Sequence, residues 1–431
     1  MFCLTMRTGI RPTGMASALL VAIAAGWGCA TGQPVGSPPS SASGIDRGIA
    51  AADSVLTAAM GVSTAGAVLV VSRDGRLITE RAYGYARLTD SMGRRLVTPV
   101  PMQTHTVFDV ASVTKALATT LAVMLLVDRG TVDLDAPVHR YLRDFRGPHL
   151  DSITVRHLLA HSSGLLQWQP LYYHAATPRQ TYDLIRSMPL GTGVGAERRY
   201  SDLGFMLLGY LIEQVAGETL PSLLHREFYG PLGLRSTSFR PERRNVAFAT
   251  TETGNGYERQ MVYDSTFGYR YREDPTAWNG WRSYPLEGEV NDGNAWYAHA
   301  GVAGHAGLFA TGADLDVLMR LLLARGRSGG RRYLRSETVD LFFTRDRFGH
   351  LVGWNAPDDA PEGSFAHTGF TGTYVLGVPA YNLSIVLLTN RQHLGRNQRG
   401  NFPDVTPVRR AVVEAILAGA RSDAGAHHST R

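Results

Sequence analysis

Lys115 is the sole lysine of a 431-residue chain; the other 42 of its 43 Lys and Arg positions are arginine. A guanidinium stays protonated in any protein, whereas an ammonium loses its proton when buried or set beside other positive charge. Lys115 is therefore a candidate general base. Ser112 stands three residues before it, in Ser112-Val113-Thr114-Lys115. On a helix, residues i and i+3 share a face, which brings Ser112 Oγ and Lys115 Nζ within hydrogen-bond reach. With Ser112 in the first turn, the positive end of the helix dipole favours a developing alkoxide and lowers the lysine pKa. A neutral amine beside a hydroxyl is the arrangement of an activated nucleophile, with lysine in the part histidine plays in the familiar triads. As a bare pattern this is weak, because a surface lysine with a serine nearby would show it too. The context strengthens it: ALATTLAVMLLV follows Lys115, almost wholly apolar or small. Such a helix is buried on all sides, and polar groups on it need a reason.

The elements that must hold this pair can be read from pattern and punctuation. A helix is expected over Ile45–Met60, and Ala65–Arg87 alternates and turns at Asp74-Gly75, a hairpin signal. Asp109 is a candidate cap for the helix through Ser112 and Lys115 to Val127, stopped by Gly130. From Val155 to about Leu234 the pattern is mainly helical, and one helix follows Tyr200-Ser201-Asp202 and ends near Gly217. Further helices are expected at Ala313–Ala324, Ser336–Phe343 and Val405–Ala420, with strands Tyr374–Pro379 and Leu383–Leu388 paired about Ala380-Tyr381. The stretch from about Glu242 to Ala300 is rich in Tyr, Trp, Arg and Gly without a steady period, and it is too long for a simple loop. Strands at both ends around a helical middle predict an α+β domain. Its antiparallel sheet is flanked by helices, with a mainly helical subdomain inserted after the Ser112 helix.

Composition bounds the rest. Hydrophobic residues make up 44% and charged residues 19%, as in a globular chain, and the net charge of +6 is spread without a basic block, so nothing argues for nucleic acid. Residues 1–29 read as an export signal: Arg7 and Arg11 precede the apolar run MASALLVAIAAGWG, which is too short to span a bilayer. Cys29 and the Gly/Pro/Ser-rich stretch after it fit a lipid-anchored leader, and ordinary cleavage fits as well. Both cysteines, Cys3 and Cys29, fall in this leader, which excludes disulfides, thiol catalysis and Cys-ligated metals from the folded part. The expected organisation is a signal at 1–29, a flexible linker at 30–46, a catalytic domain at 47–420 and a disordered tail at 421–431.

Phe108-Asp109-Val110-Ala111-Ser112-Val113-Thr114-Lys115 resembles the Ser-x-x-Lys nucleophile motif of the serine β-lactamase and penicillin-binding-protein superfamily. Thr154 to Leu165 (TVRHLLAHSSGL) is similar to the segment that follows in the class C branch. Tyr200-Ser201-Asp202 stands in the place of its Tyr-x-Asn motif and His367-Thr368-Gly369 in that of its Lys-Thr-Gly. Gly288 to Phe309 further resembles low-molecular-mass enzymes of the penicillin-binding protein 4B type. The resemblance covers about residues 48–420 and implies a β-lactamase/transpeptidase-like fold. It also implies an acyl-enzyme on Ser112, Lys115 as base and Tyr200 as proton relay, its phenolate favoured by the neighbouring cation. The backbone N–H groups of Ser112 and Phe370 would form the oxyanion hole, with Asp202, His367, Thr368 and Gly369 as substrate-binding positions. No metal or organic cofactor is called for.

Two departures shape the substrate expectation. Asp202 replaces an amide that would donate to a substrate carbonyl, and it could instead serve as a helix N-cap. His367 replaces a lysine that binds the substrate carboxylate; protonated, it could still hold one. Both weaken a β-lactamase reading more than a peptidase or esterase one. The expected activity is a D-alanyl-D-alanine carboxypeptidase of the cell envelope or periplasm, acting on peptidoglycan peptides, with β-lactams as covalent ligands. A carboxylesterase or weak β-lactamase on the same core is the alternative, and a non-hydrolytic penicillin sensor a second. Membrane contact is expected only through a lipid on Cys29. Gly326 to Gly330 (GRSGG) matches a G-x-S-x-G elbow but follows a helix end, which marks it as a polar loop. His157 and His161 are spaced like zinc ligands without the rest of a zinc motif and read as structural, as does His305. The stretch Tyr257 to Trp281 could line a cleft or pack as a lid.

Overall fold

The computed structural model describes residues 42–267 and 274–429, side chains of 426–429 excepted. The expected signal, Cys29 and most of the 30–46 linker lie outside the described residues. Helix α1 (Gly44–Ala59) leads into strands β1 (Gly66–Arg73), β2 (Arg76–Thr89) and β3 (Arg95–Pro101). After β4 (Phe108–Asp109), a wide π-helical stretch at Lys115–Thr120 continues as α2 (Leu121–Asp128). Then come α3 (Val155–Leu159), α4 (Pro178–Ser187), α5 (Asp202–Ala216) and α6 (Leu220–Leu224). The chain returns through β5 (Ser238–Phe239), α7 (Gly256–Tyr263), β6 (Leu308–Ala310) and α8 (Gly312–Leu323). The hairpin β7 (Arg327–Ser328) and β8 (Arg331–Arg332), α9 (Ser336–Phe342), β9 (Phe365–Thr368), β10 (Tyr374–Val378), β11 (Leu383–Thr389) and α10 (Thr406–Ser429) complete it.

Six strands pair antiparallel in the order β3-β2-β1-β11-β10-β9. Every second residue of β1 points the same way, so one apolar run feeds two cores. Ala67, Leu69 and Val71 pack with Ile49 and Leu56 of α1 and Ile416 of α10. Val68 and Val70 join the core that holds Leu315 and Leu318 of α8 and the buried α2. Each such large aliphatic side chain contributes roughly 1.5–3 kcal/mol by leaving water. The hairpin turn falls at Asp74-Gly75, with φ of 54° and 74°, as a two-residue turn between twisted strands requires. β10 and β11 pair in the expected register, Val378 opposite Leu383.

The tail differs from expectation. The closing helix does not end at Ala420 with a disordered 421–431; it runs to Ser429. Asp423 explains this, because its carboxylate accepts the N–H groups of Gly44 and Ile45, orphan donors of the first turn of α1, and pairs with Arg73 at 2.7 Å. α1 starts at Gly44, inside the expected linker, behind a Ser43–Asp46 capping box that the Asp423 contact supplements. No helix among the described residues is long and apolar enough to cross a membrane.

Candidate active site

Ser112 sits where a short strand turns into a buried helix. β4 pairs with β6, Asp109 opposite Phe309, and Ala111 then takes φ +47°, an uncommon conformation for a residue with a side chain, before the helix begins. Asp109 is not the expected cap. Its Oδ1 accepts the Ala111 N–H at 2.9 Å and its Oδ2 the Asn291 N–H at 2.7 Å, so it braces the bend against a distant segment. Burial pushes its carboxyl up to about 6 despite those two donors.

Four polar groups converge behind the bend. Lys115, fully buried, donates from Nζ to Ser112 Oγ at 3.0 Å and to the His305 carbonyl at 3.0 Å. The Tyr200 hydroxyl donates to the same Oγ at 2.9 Å. Asp202 Oδ1 lies 2.7 Å from Nζ, as an ion pair off the line of a good hydrogen bond. This contact overturns two expectations. Asp202 does not cap α5; Ser201 does, its Oγ accepting the Gly204 N–H at 3.2 Å. Nor is the lysine pKa lowered. Burial alone would depress it, but the Asp202 carboxylate and Tyr200 outweigh burial and hold the ammonium above its ordinary value. Tyr200 likewise moves up rather than down, driven by burial, with Lys115 opposing and Asp202 adding to the rise. The resting cluster is thus an ammonium, a carboxylate and a neutral phenol.

His161 holds Tyr200 in place, its ring tilted against the Tyr200 ring at 4.5 Å between centroids and its Nδ1 accepting the Ser201 N–H at 3.1 Å. Burial, then Arg198 and Lys115, depress its pKa well below the usual value, so it stays neutral. His157 closes a capping box on α3 with Thr154. Both are structural, as their sequence context suggested.

The Lys-Thr-Gly-like segment behaves differently from expectation. His367 is 2% exposed, and burial followed by the Lys115 charge pushes it down to about 3. Its Nδ1–H points to the Thr368 carbonyl at 2.9 Å. A neutral, buried imidazole cannot hold a carboxylate as an imidazolium would. Gly369 is required by the chain's own backbone rather than by a substrate: a Cβ there would stand 2.5 Å from the Val110 carbonyl and 2.1 Å from Thr373 Oγ1. Thr371 and Thr373 donate from Oγ1 to the carbonyls of Asp109 and Val110 at 2.8 and 2.9 Å. These bonds lock the β9–β10 turn onto the nucleophile bend. The Ser112 and Phe370 amides donate to no protein acceptor among the described residues. Both residues line one cavity of about 270 Å³, as do Tyr200 and Asp202, while His367, Thr368 and Gly369 do not.

Sequence reasoning missed much of the lining of this cavity. Glu252, Glu258, Asn291, Asp292 and His305 line it, with Tyr257 and Met261 of the aperiodic stretch. That stretch therefore lines a cleft, while Trp278 and Trp281 pack with Tyr172 and Tyr297 behind it. His305 is more than a turn residue: its carbonyl takes Lys115, and its Nε2 meets Asp292 Oδ1 at 2.9 Å. The signal available was the pair Asn291-Asp292 inside the Gly288–Phe309 resemblance. The GRSGG segment forms the β7–β8 hairpin and does not line the cavity.

The chain matches the family described as Beta-lactamase over residues 52–406 and belongs to it. It is a serine hydrolase with the β-lactamase/transpeptidase-like fold. It is 33% identical over 357 residues to an "N-acetylmuramyl-L-alanine amidase" of Bacillus subtilis (strain 168), covering 76% of this chain and 77% of that one. A "Putative D-alanyl-D-alanine carboxypeptidase" of Escherichia coli (strain K12) is 30% identical over 353 residues, covering 75% and 78%. Among solved structures, a penicillin-binding protein homolog from Caulobacter crescentus superposes with a TM-score of 0.64 at 20% identity, covering 86% of this chain and 97% of that one.

Proposed function

We propose that the chain is an exported serine peptidase of the D-alanyl-D-alanine carboxypeptidase kind, working through an acyl-enzyme on Ser112. The observation that carries the mechanism is the convergence of Lys115 Nζ and Tyr200 Oη on Ser112 Oγ at 3.0 and 2.9 Å, on the wall of a cavity. Attack requires the fraction of molecules in which Lys115 has lost its extra proton. In that fraction Nζ takes the Ser112 proton as Oγ bonds to the acyl carbon. The Ser112 and Phe370 amides take the oxyanion, and Tyr200 passes a proton to the leaving nitrogen as the acyl bond breaks. Water then attacks the acyl-enzyme, yielding its proton along the same path. Each proton transfer is supplied by these side chains. The names of the Bacillus and Escherichia relatives support a cell-wall substrate, and the leader at 1–29 supports delivery to the envelope.

An esterase is the second reading, and one observation favours it. Among the described residues no lysine or arginine lines the cavity, and His367 is neutral, so a substrate without a free carboxylate meets no missing partner. The test is mass spectrometry of the intact protein after a β-lactam, beside release of D-alanine from a D-alanyl-D-alanine peptide and turnover of a short-chain ester. Label on Ser112 with D-alanine release is the expected result. Ester turnover without label would replace the peptidase reading by the esterase one. Label without turnover of either substrate would make the chain a sensor.

A further inference from the structure

A base must be aimed as well as deprotonated. As an ammonium Lys115 has three N–H groups, and three acceptors surround its Nζ: Ser112 Oγ at 3.0 Å, the His305 carbonyl at 3.0 Å and Asp202 Oδ1 at 2.7 Å. The neutral amine keeps two N–H groups and one lone pair. That lone pair faces Ser112 Oγ only while the two N–H groups stay on Asp202 and the His305 carbonyl. Asp202 lies at the cavity, whereas the contact to the His305 carbonyl is buried. The carbonyl belongs to a strap, Gly304–Leu308, tied to the helix on either side of the lysine. Thr119 Oγ1 donates to the Gly304 carbonyl at 2.5 Å, and Thr114 Oγ1 accepts the Leu308 N–H at 3.1 Å. Gly304 and Gly307 leave the strap little stiffness of its own. Gly304 has no substitute, since a Cβ there would stand 2.0 Å from the Phe205 carbonyl. A further tether is the His305 side chain, 1% exposed, whose Nε2 meets Asp292 Oδ1 at 2.9 Å. The same Oδ1 accepts the Ala295 N–H at 2.8 Å, which anchors the pair to the turn Asn294–Ala298. Burial would raise the Asp292 carboxyl, but the His305 ring outweighs burial and holds it low, so Asp292 is the acceptor and Nε2 the donor.

We infer that His305 and Asp292 are positioning residues for the general base: their bond fixes the carbonyl that turns the lone pair of neutral Lys115 onto Ser112 Oγ. The inference rests on the reading of Ser112 as nucleophile and Lys115 as base, and adds what sets the direction of that base. Neither the His305 nor the Asp292 side chain gives or takes a proton in the step. The Ser112 proton passes to Nζ as Oγ bonds to the acyl carbon, while the His305 carbonyl and Asp202 each keep one N–H. A misplacement of about 1 Å can cost on the order of 10²-fold in rate. A loosened carbonyl therefore shows in kcat, with substrate binding left as it was.

Two pairs of variants test this on the full chain, each read as kcat and KM on the best ester or peptide. His305→Gln carries an N–H at the place of Nε2, whereas His305→Asn carries one only at the place of Nδ1. Asp292→Asn keeps an oxygen at the place of Oδ1, whereas Asp292→Leu has none. His305→Asn and Asp292→Leu break the bond and are expected to lose about tenfold or more in kcat, with KM within about twofold. His305→Gln and Asp292→Asn are expected to recover most of that loss. Equal kcat for the two members of either pair overturns the inference, as does a loss that falls on KM. A cycle with Lys115→Arg separates aim from packing. In that background His305→Asn should cost less than about twofold further, because no lone pair is left to aim; a further loss as large as in the parent overturns the inference. Should His305→Asn not fold, the Asp292 pair and a cycle built on Asp292→Leu give the same reading. Ser112→Ala separates the two readings. If it retains turnover, the nucleophile assignment fails; if it abolishes turnover while the members of a pair are equal, only the positioning role fails.

Discussion

Around Ser112, every polar side chain has a partner of opposite or complementary character. Lys115 meets Asp202, Ser112 and a carbonyl, Tyr200 meets Ser112, and Asp109 takes two amides. Deeper in the protein beside this group, the Glu258 Oε1, the Tyr172 hydroxyl and His305 Nδ1 are buried without aligned partners. The first wall is closed upon itself, as a group that must hold an exact protonation pattern needs to be. The second is less well aligned, and its misaligned atoms are sealed inside the protein rather than presented to the cavity. The comparison assigns the chemistry to the first group.

The hardest way to break it is at Lys115. Arginine there keeps a positive charge for Asp202 but stays protonated and so cannot take the Ser112 proton. Lys115→Arg should cost about 10²–10⁴-fold in kcat/KM on the best ester or peptide, the range for a lost general base. A variant at full activity would move the base elsewhere and dissolve the distinction between the walls.

Asp202 sharpens the comparison next, through the pH profile. The base is the deprotonated amine, so kcat/KM rises as pH climbs through the Lys115 pKa, which Asp202 holds above its ordinary value. Asp202→Asn removes the carboxylate and leaves burial opposed only by Tyr200, which lowers that pKa. The acid limb should move down by about 1–3 pH units, the span expected for an opposite charge in contact. A limb that stays in place or rises would mean that Asp202 does not set the base.

What the sequence revealed follows the same division. Ser112 and Lys115 lie one helical turn apart, and the Asp74-Gly75 turn needs only its neighbours, so both were readable locally. Asp202 looked like a cap because its position at a helix start is local, whereas its partner Lys115 reaches it only through the fold. His367 looked like a carboxylate binder until burial took its charge away. Glu258 had no readable pattern, because its meaning depends on the close approach of Gly293 and Asp292. The α10 tail was missed for the same reason: Asp423 caps a helix at the other end of the chain.

The smallest expected effect lies where the first wall is held from outside the cavity. Arg391 donates from Nε and Nη2 to the Phe370 carbonyl at 3.0 and 2.9 Å, and its guanidinium lies 5.3 Å from the Phe370 ring centroid. Nη1 ties the same side chain to the Pro403 carbonyl at 3.1 Å. Fixing that carbonyl fixes the plane of the peptide that follows it and restrains the residue whose own amide is one of the two proposed oxyanion donors. Losing such a donor outright costs about 10²–10³-fold in kcat; loosening it should cost less, about 10-fold for Arg391→Leu. The effect should fall on kcat and leave KM nearly unchanged, because the oxyanion exists only after attack. Arg391→Lys, which restores one donor without the fork, should recover part of the loss. Equal losses in kcat and binding would instead make Arg391 a packing residue of the aromatic rim, and the closed wall would end at Thr371 and Thr373.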